Sequence, residues 1–249
     1  MTLIGIDGIP GIKAGDDLGK LLVDACAEQG TPLLAGDVLV VTQKVVSKAE
    51  DQVVDLRTIT PSALAIDFAD RWEKDARAVE VVLQEAVRIV RMENGVMITE
   101  TKHGFVCANS GVDASNVGTG NVDYVVLLPK DSDSSARHIR DRVRDLTNCE
   151  IAVIISDTFG RAWREGAADV AIGLAGIEAL WDYRGTIDND GRELHSTVIA
   201  VADEIAAATE LVTNKLTRVP AAIVRGYSYL VGESGIAPMI RDRAKDLFR

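Results

Sequence analysis

Short apolar runs alternate along the chain with segments whose apolar residues recur every three or four positions, the pattern of strands and helices sharing a core. The clearest run is Ile151-Ala152-Val153-Ile154-Ile155, short and rich in β-branched side chains, which predicts a strand buried on both faces. Val38-Leu39-Val40-Val41-Thr42 after the Gly36-Asp37 turn, Tyr124 to Leu128 closed by Pro129, and Ala221 to Gly226 predict further strands. Ile4-Gly5-Ile6 predicts a short one, broken by Gly8 and Pro10. Asn94-Gly95 is a tight-turn signal, and Val96 to Thr101 with Phe105 to Ala108 read as antiparallel neighbours. Val170 to Gly176 is apolar and carries glycines, which predicts a strand that another backbone approaches closely.

Helical spacing fills the intervals. Leu18, Leu21, Leu22 and Ala25 follow Asp16, the expected cap. Pro61 opens a stretch in which Leu64, Phe68 and Trp72 stand four apart. Beyond Lys74-Asp75, Val79, Val82, Leu83, Ala86 and Val90 make a second stripe. Asp131-Ser132-Asp133-Ser134 caps a helix that turns Ala136, Ile139, Val143 and Leu146 inward. Ala202, Ile205, Thr209 and Val212 define a last helix within 198–212. These stripes read as core. No repeat, low-complexity segment or linker interrupts the chain, so one domain over 1–249 is expected, any second lobe sharing its core.

Composition narrows the function. With 249 residues there is room for a sizeable core, and a net charge of -11 argues against a nucleic-acid or anionic-membrane partner. A nucleotide remains compatible if metal ions screen its phosphates. The start has no basic segment leading into an apolar one, and no run of about 18 apolar residues occurs, so a cytoplasmic protein is expected. Cys26, Cys107 and Cys149 are odd in number and scattered, which reads as reduced thiols.

Chemistry concentrates after the strand at 151–155, where Ser156-Asp157-Thr158-Phe159-Gly160-Arg161-Ala162-Trp163-Arg164 reads as a polar turn. Asp157 and Thr158 offer hard oxygens for Mg²⁺ or Mn²⁺, and Arg161 and Arg164 offer forked donors for carboxylate or phosphate. Asp113 lies in a small polar loop ending another strand, and two carboxylates on separate strand ends suit a nucleotide-bound divalent cation. Lys44 and Lys48, four apart in a turn after the strand at 38–42, can meet an anion together.

At Gly8-Ile9-Pro10, Gln43 to Glu50, His103 to Asn116 and Ser156 to Arg161, the sequence resembles the coenzyme F420-0:L-glutamate ligase family, in order and over essentially the whole chain. The resemblance implies an α+β fold with mixed and antiparallel sheets, packed helices and two intertwined lobes, assembled as a homodimer. It implies a GTP-dependent amide ligase adding L-glutamate to coenzyme F420-0 at its lactyl-phosphate tail, with Mn²⁺ or Mg²⁺ and a stimulatory K⁺. Carried across by position, Asp113, Asp157 and Thr158 are metal ligands. Ile9, Pro10, Gly11, Ile12, Gln43, Lys44, Lys48 and Asn116 are nucleotide contacts, with the loop Thr213, Asn214, Lys215, Leu216, Thr217, Arg218, Val219 and Pro220. At Lys215 the pattern departs from members that carry an acidic metal ligand nearby. Either this lysine meets a phosphate, or the second metal is held differently. Some members continue into a nitroreductase-like domain, which is not expected here.

Amide formation from a carboxylate needs a leaving group, and an acyl phosphate made from GTP supplies one. Asp157, Arg161 and Lys48 are the expected catalytic residues, with Arg161 and Arg164 holding substrate carboxylates. Two other readings use the same residues: a metal-dependent nucleotide hydrolase, and a nucleotide-binding module without chemistry.

Overall fold

The computed structural model describes residues 1–113 and 123–247. In chain order the strands and helices are β1 (Thr2–Gly5), α1 (Leu18–Glu28), β2 (Val38–Thr42), α2 (Gln43–Ala49), β3 (Val53–Asp55), α3 (Ala63–Trp72) and α4 (Ala76–Glu85). There follow β4 (Ala86–Glu93), β5 (Val96–Thr101), β6 (Val106–Ala108), β7 (Tyr124–Val126) and α5 (Ser132–Thr147). The chain then forms β8 (Ala152–Arg161), β9 (Arg164–Ala175), β10 (Trp181–Asp182), β11 (Val198–Ile199), α6 (Val201–Thr213) and β12 (Ala221–Arg225).

The main sheet has the order β1-β12-β2-β8-β9 and is mixed, with β2 and β8 parallel and the other pairs antiparallel. Alternation along each strand sends side chains to two separate cores. Leu39, Val41, Val153 and Ile155 face α1 and α5, packing on Leu22, Ala136, Ile139 and Val143. Val38, Val40, Ala152 and Ile154 face α6, packing on Val201, Ala202 and Ile205. A strand covered on both faces must be apolar throughout, which is why these runs stand out in the sequence.

A second layer set pairs the antiparallel sheet β4-β5-β6 with α3 and α4 through Phe68, Ala69, Val79, Val82 and Met97. The fold is therefore α+β, with mixed and antiparallel sheets and packed helices.

Several local expectations shift. The cap of α1 is Asp17, whose carboxylate accepts from Lys20 N–H at 3.0 Å, while Asp16 accepts from Lys13 N–H at 2.8 Å. Val90 lies in β4, because the helical stripe ends at Glu85 and the chain turns directly into a hairpin strand. On α3 the buried face is Ala65, Phe68 and Ala69, and Leu64 and Trp72 are partly exposed. The polar stretch after Ile155 is strand, since β8 runs on to Arg161 and pairs with β9 as a long hairpin. Gly173 on β9 meets the expected close approach: a Cβ there would stand 2.4 Å from the main chain of Ser132, at the start of α5.

Candidate active site

Strand register gathers the expected site segments at one end of the main sheet. Val41 pairs with Ala221, Gly5 with Ala222 and Thr42 with Ser156. The segment leaving β1, the helix leaving β2, the outer half of β8 and the loop entering β12 therefore share that end. Thr42 N–H donates to Pro220 O at 2.9 Å and Ile6 N–H to Ala221 O at 2.9 Å, closing the segments together. Ile9 and Ile12 pack against the core, with Pro10 and Gly11 exposed between them.

Gln43 to Ala49 form a helix rather than a turn, so Lys44 and Lys48 project from one side of α2. Gln43 is buried, and its amide donates to Leu127 O and Ser47 Oγ, each at 2.7 Å. That contact ties α2 to the exit of β7. Asp113 is placed by a two-way bridge to Val126: Asp113 N–H donates at 2.9 Å and Val126 N–H returns a bond at 2.8 Å. Lys44 Nζ then lies 2.6 Å from Asp113 Oδ2. Burial and the Lys44 charge push the Lys48 ammonium below its ordinary value, and Asp113 pulls it back up.

Across from α2, Asp157 is half-buried on β8 and its Oδ1 accepts from Thr158 N–H at 2.8 Å. Burial pushes its carboxyl up to about 7, against the Thr158 hydrogen bond, with further upward pressure from Asp113 and Asp169 and relief from Lys215. The Asp113 charge is thus near enough to add to the shift at Asp157. Cys107, pushed up to about 12 by burial and the Asp157 charge, is no nucleophile.

Asp169, opposite Thr158 on β9 and 3% exposed, is a site residue that sequence reasoning missed. Its Oδ1 accepts from Thr158 Oγ1–H at 2.6 Å and from Lys215 Nζ at 3.3 Å. Glu210, on the last turns of α6, also pairs with Lys215, at 3.7 Å. The available signal was a lone carboxylate inside the small apolar run Ala167 to Ala171.

Arg161 donates to Glu165 O at 2.6 Å and Gly166 O at 3.1 Å, closing the hairpin it stands on. In the loop 213–220, Thr213 and Val219 are buried, whereas Asn214, Lys215, Leu216, Thr217 and Arg218 are exposed. Asn116 lies outside the described residues. A groove of about 240 Å³ lined by Asp16, Asp17, Glu50, His138 and Arg142 contains none of the expected site residues.

Among the described residues no group of three or more His, Cys, Asp or Glu side chains is arranged to hold a metal ion. The donor chemistry fits a hard cation all the same. Burial lifts Asp157 and the charges of Asp113 and Asp169 add to it, so positive charge beside Asp157 opposes the shift.

Fold and site together define an α+β protein whose main sheet presents carboxylates and lysines at one end, suited to small charged molecules. The chain belongs to the F420-0:Gamma-glutamyl ligase family, whose model matches residues 8–226. It is 45% identical over its full length to the coenzyme F420:L-glutamate ligase of Methanothermobacter thermautotrophicus, covering 99% of that protein. The enzymes of the same name from Methanocaldococcus jannaschii and Methanopyrus kandleri are 41% and 43% identical, over 100% and 96% of this chain and 97% and 93% of theirs. No helix among the described residues is long and apolar enough to cross a membrane.

Proposed function

We propose that this protein joins the amine of L-glutamate to the terminal carboxylate of coenzyme F420-0, using GTP and a divalent cation, and then adds γ-linked glutamates. The family and the names of its relatives support the reaction. The observation that supports its mechanism is the meeting of Asp113, Asp157 and Asp169 with Lys44, Lys48 and Lys215 at one end of the sheet.

In this reading a carboxylate oxygen of the coenzyme attacks the γ-phosphorus of GTP, the bond to the β–γ bridging oxygen breaks, and GDP leaves. The resulting acyl phosphate is attacked at carbon by the glutamate amine. The carbon–oxygen bond to phosphate breaks, inorganic phosphate departs, and the amine loses its proton to solvent. Lys44 and Lys48 donate to phosphate oxygens, which accumulate charge in the first step. Asp113 and Asp157 hold the divalent cation, which when bound neutralises charge on the β- and γ-phosphates. Arg161 keeps the hairpin closed, so that Asp157 and Thr158 are presented on paired strand rather than on a loose loop.

The test is mass spectrometry after incubation of the protein with F420-0, glutamate and GTP, the coenzyme carboxylate carrying ¹⁸O. A product heavier by one glutamyl residue, with ¹⁸O in the released phosphate, is expected. GTP consumption at full rate without coenzyme or glutamate assigns the site to hydrolysis instead.

A further inference from the structure

Beside Asp157 the ammonium of Lys215 stands among three side-chain oxygens. Lys215 Nζ stands 2.5 Å from Thr158 Oγ1, 3.3 Å from Asp169 Oδ1 and 3.7 Å from Glu210 Oε1. Those oxygens come from three elements, β8, β9 and α6, and two of them are carboxylate. Hard oxygens converging in this way are the donor set of a magnesium-like ion. The occupant here is an ammonium, which donates and has no lone pair to ligate with.

The Thr158 hydroxyl is engaged on both sides. Its proton goes to Asp169 Oδ1 at 2.6 Å, so its lone pairs are left to accept from Lys215. A divalent ion bound to the same oxygen would stand in contact with the ammonium, two like charges a few ångströms apart with Asp169 shared between them. One of them must leave.

We propose that Lys215 is a built-in replacement for a second metal ion. Its ammonium supplies the positive charge beside Thr158, and the chain takes up a single divalent ion, at Asp113 and Asp157. A carboxylate at position 215 would convert the same oxygens into a second ion site. This rests on the reading that Asp113 and Asp157 hold a divalent ion.

The test counts ions. Equilibrium dialysis against Mn²⁺ with a non-hydrolysable GTP analogue, free ion being read by electron paramagnetic resonance and corrected for nucleotide alone, is expected to give one ion per wild-type chain. Lys215→Glu is expected to bind two, and adding Thr158→Val to that variant should return the count to one. Two ions on the wild-type chain overturn the replacement while leaving Asp113 and Asp157 as ligands. One ion on a folded Lys215→Glu chain also overturns it, and assigns Lys215 to direct phosphate contact. No ion on the wild-type chain overturns the metal reading itself, and the replacement with it.

Discussion

Lys44 and Asp113 are paired at 2.6 Å, although one rides on the first turn of α2 and the other is held by a bridge to β7. The pair faces the same cluster as Asp157, whose carboxyl registers the Asp113 charge. Its side chains are 25% and 36% exposed. A pair this accessible contributes no more than about 1 kcal/mol to folding. A charge-assisted bond to a phosphate oxygen is stronger, about 2 kcal/mol. Lys44→Gln should therefore lower kcat/KM for GTP roughly 30-fold while barely moving the unfolding midpoint. If kcat/KM stays within twofold and the midpoint falls, Lys44 is a strut between α2 and the Asp113 bridge.

Asp157 is held where its charge is unwelcome, half-buried and facing two other carboxylates. Folding must carry that charge in, which costs on the order of 2–4 kcal/mol in metal-free solution above the raised value near 7. Asp157→Asn keeps the shape and an acceptor oxygen for Thr158 N–H. At pH 8 without metal it should unfold at higher urea than the wild type, while its turnover falls at least 100-fold. Near-wild-type turnover at saturating Mn²⁺ would remove Asp157 from the mechanism.

What the sequence disclosed, and what it hid, follow from where each segment gets its order. β2, β8 up to Ile155, and β12 are legible because two cores demand apolar residues at every position. The outer half of β8 is not, because Ser156 to Arg161 are ordered by main-chain pairing with β9, which places no demand on side chains. β4 was hidden for a different reason: Ala86 and Val90 fall at helical spacing from Val82, so the same apolar positions suit a helix or a strand. α2 has only seven residues, too few to display a period. Asp113 and Asp157 were reached by pairing carboxylates at strand ends. Asp169 joins them through Thr158 and Lys215, and Glu210 through Lys215, contacts between strand, helix and loop that no local pattern encodes.

Asp203 supplies a further dependence on pH. Burial raises its carboxyl above the usual 3.8, opposed by the Ala171 N–H that donates to Oδ1 at 2.9 Å. A carboxyl whose folded value is raised costs nothing while it is protonated in both states. The cost grows as pH rises from 3.8 through the higher folded value, and stays constant beyond it. Asp203→Asn keeps an acceptor for Ala171 and has no proton to lose. The variant should match or trail the wild type near pH 4 and gain on it up to neutral pH, measured as urea midpoints. A gap that does not change with pH means that Asp203 is solvated in the folded chain.

Arg225 and Asp37 hold the end of the main sheet opposite the cluster. Arg225 Nε and NH2 meet Asp37 Oδ1 and Oδ2 at 2.9 and 2.7 Å, and Oδ2 also accepts from Leu34 N–H at 2.9 Å. The Asp37 side chain is 2% exposed and that of Arg225 29%, and among the described residues this guanidinium is the carboxylate's counter-charge. Gly36-Asp37 read as an ordinary turn, yet its aspartate is among the most buried charges in the chain. Arg225→Met leaves that charge uncompensated, and a loss of about 3–5 kcal/mol is expected in urea unfolding. Arg225→Lys should recover only part of it, since a single ammonium cannot span both oxygens in fork geometry. Because the pair sits where Val38 meets Ala152, a full strand length from Thr42 and Ser156, kcat of the folded Arg225→Lys protein should stay near wild type. A kcat that fell with stability would mean that strain at this end is transmitted along β2 to α2.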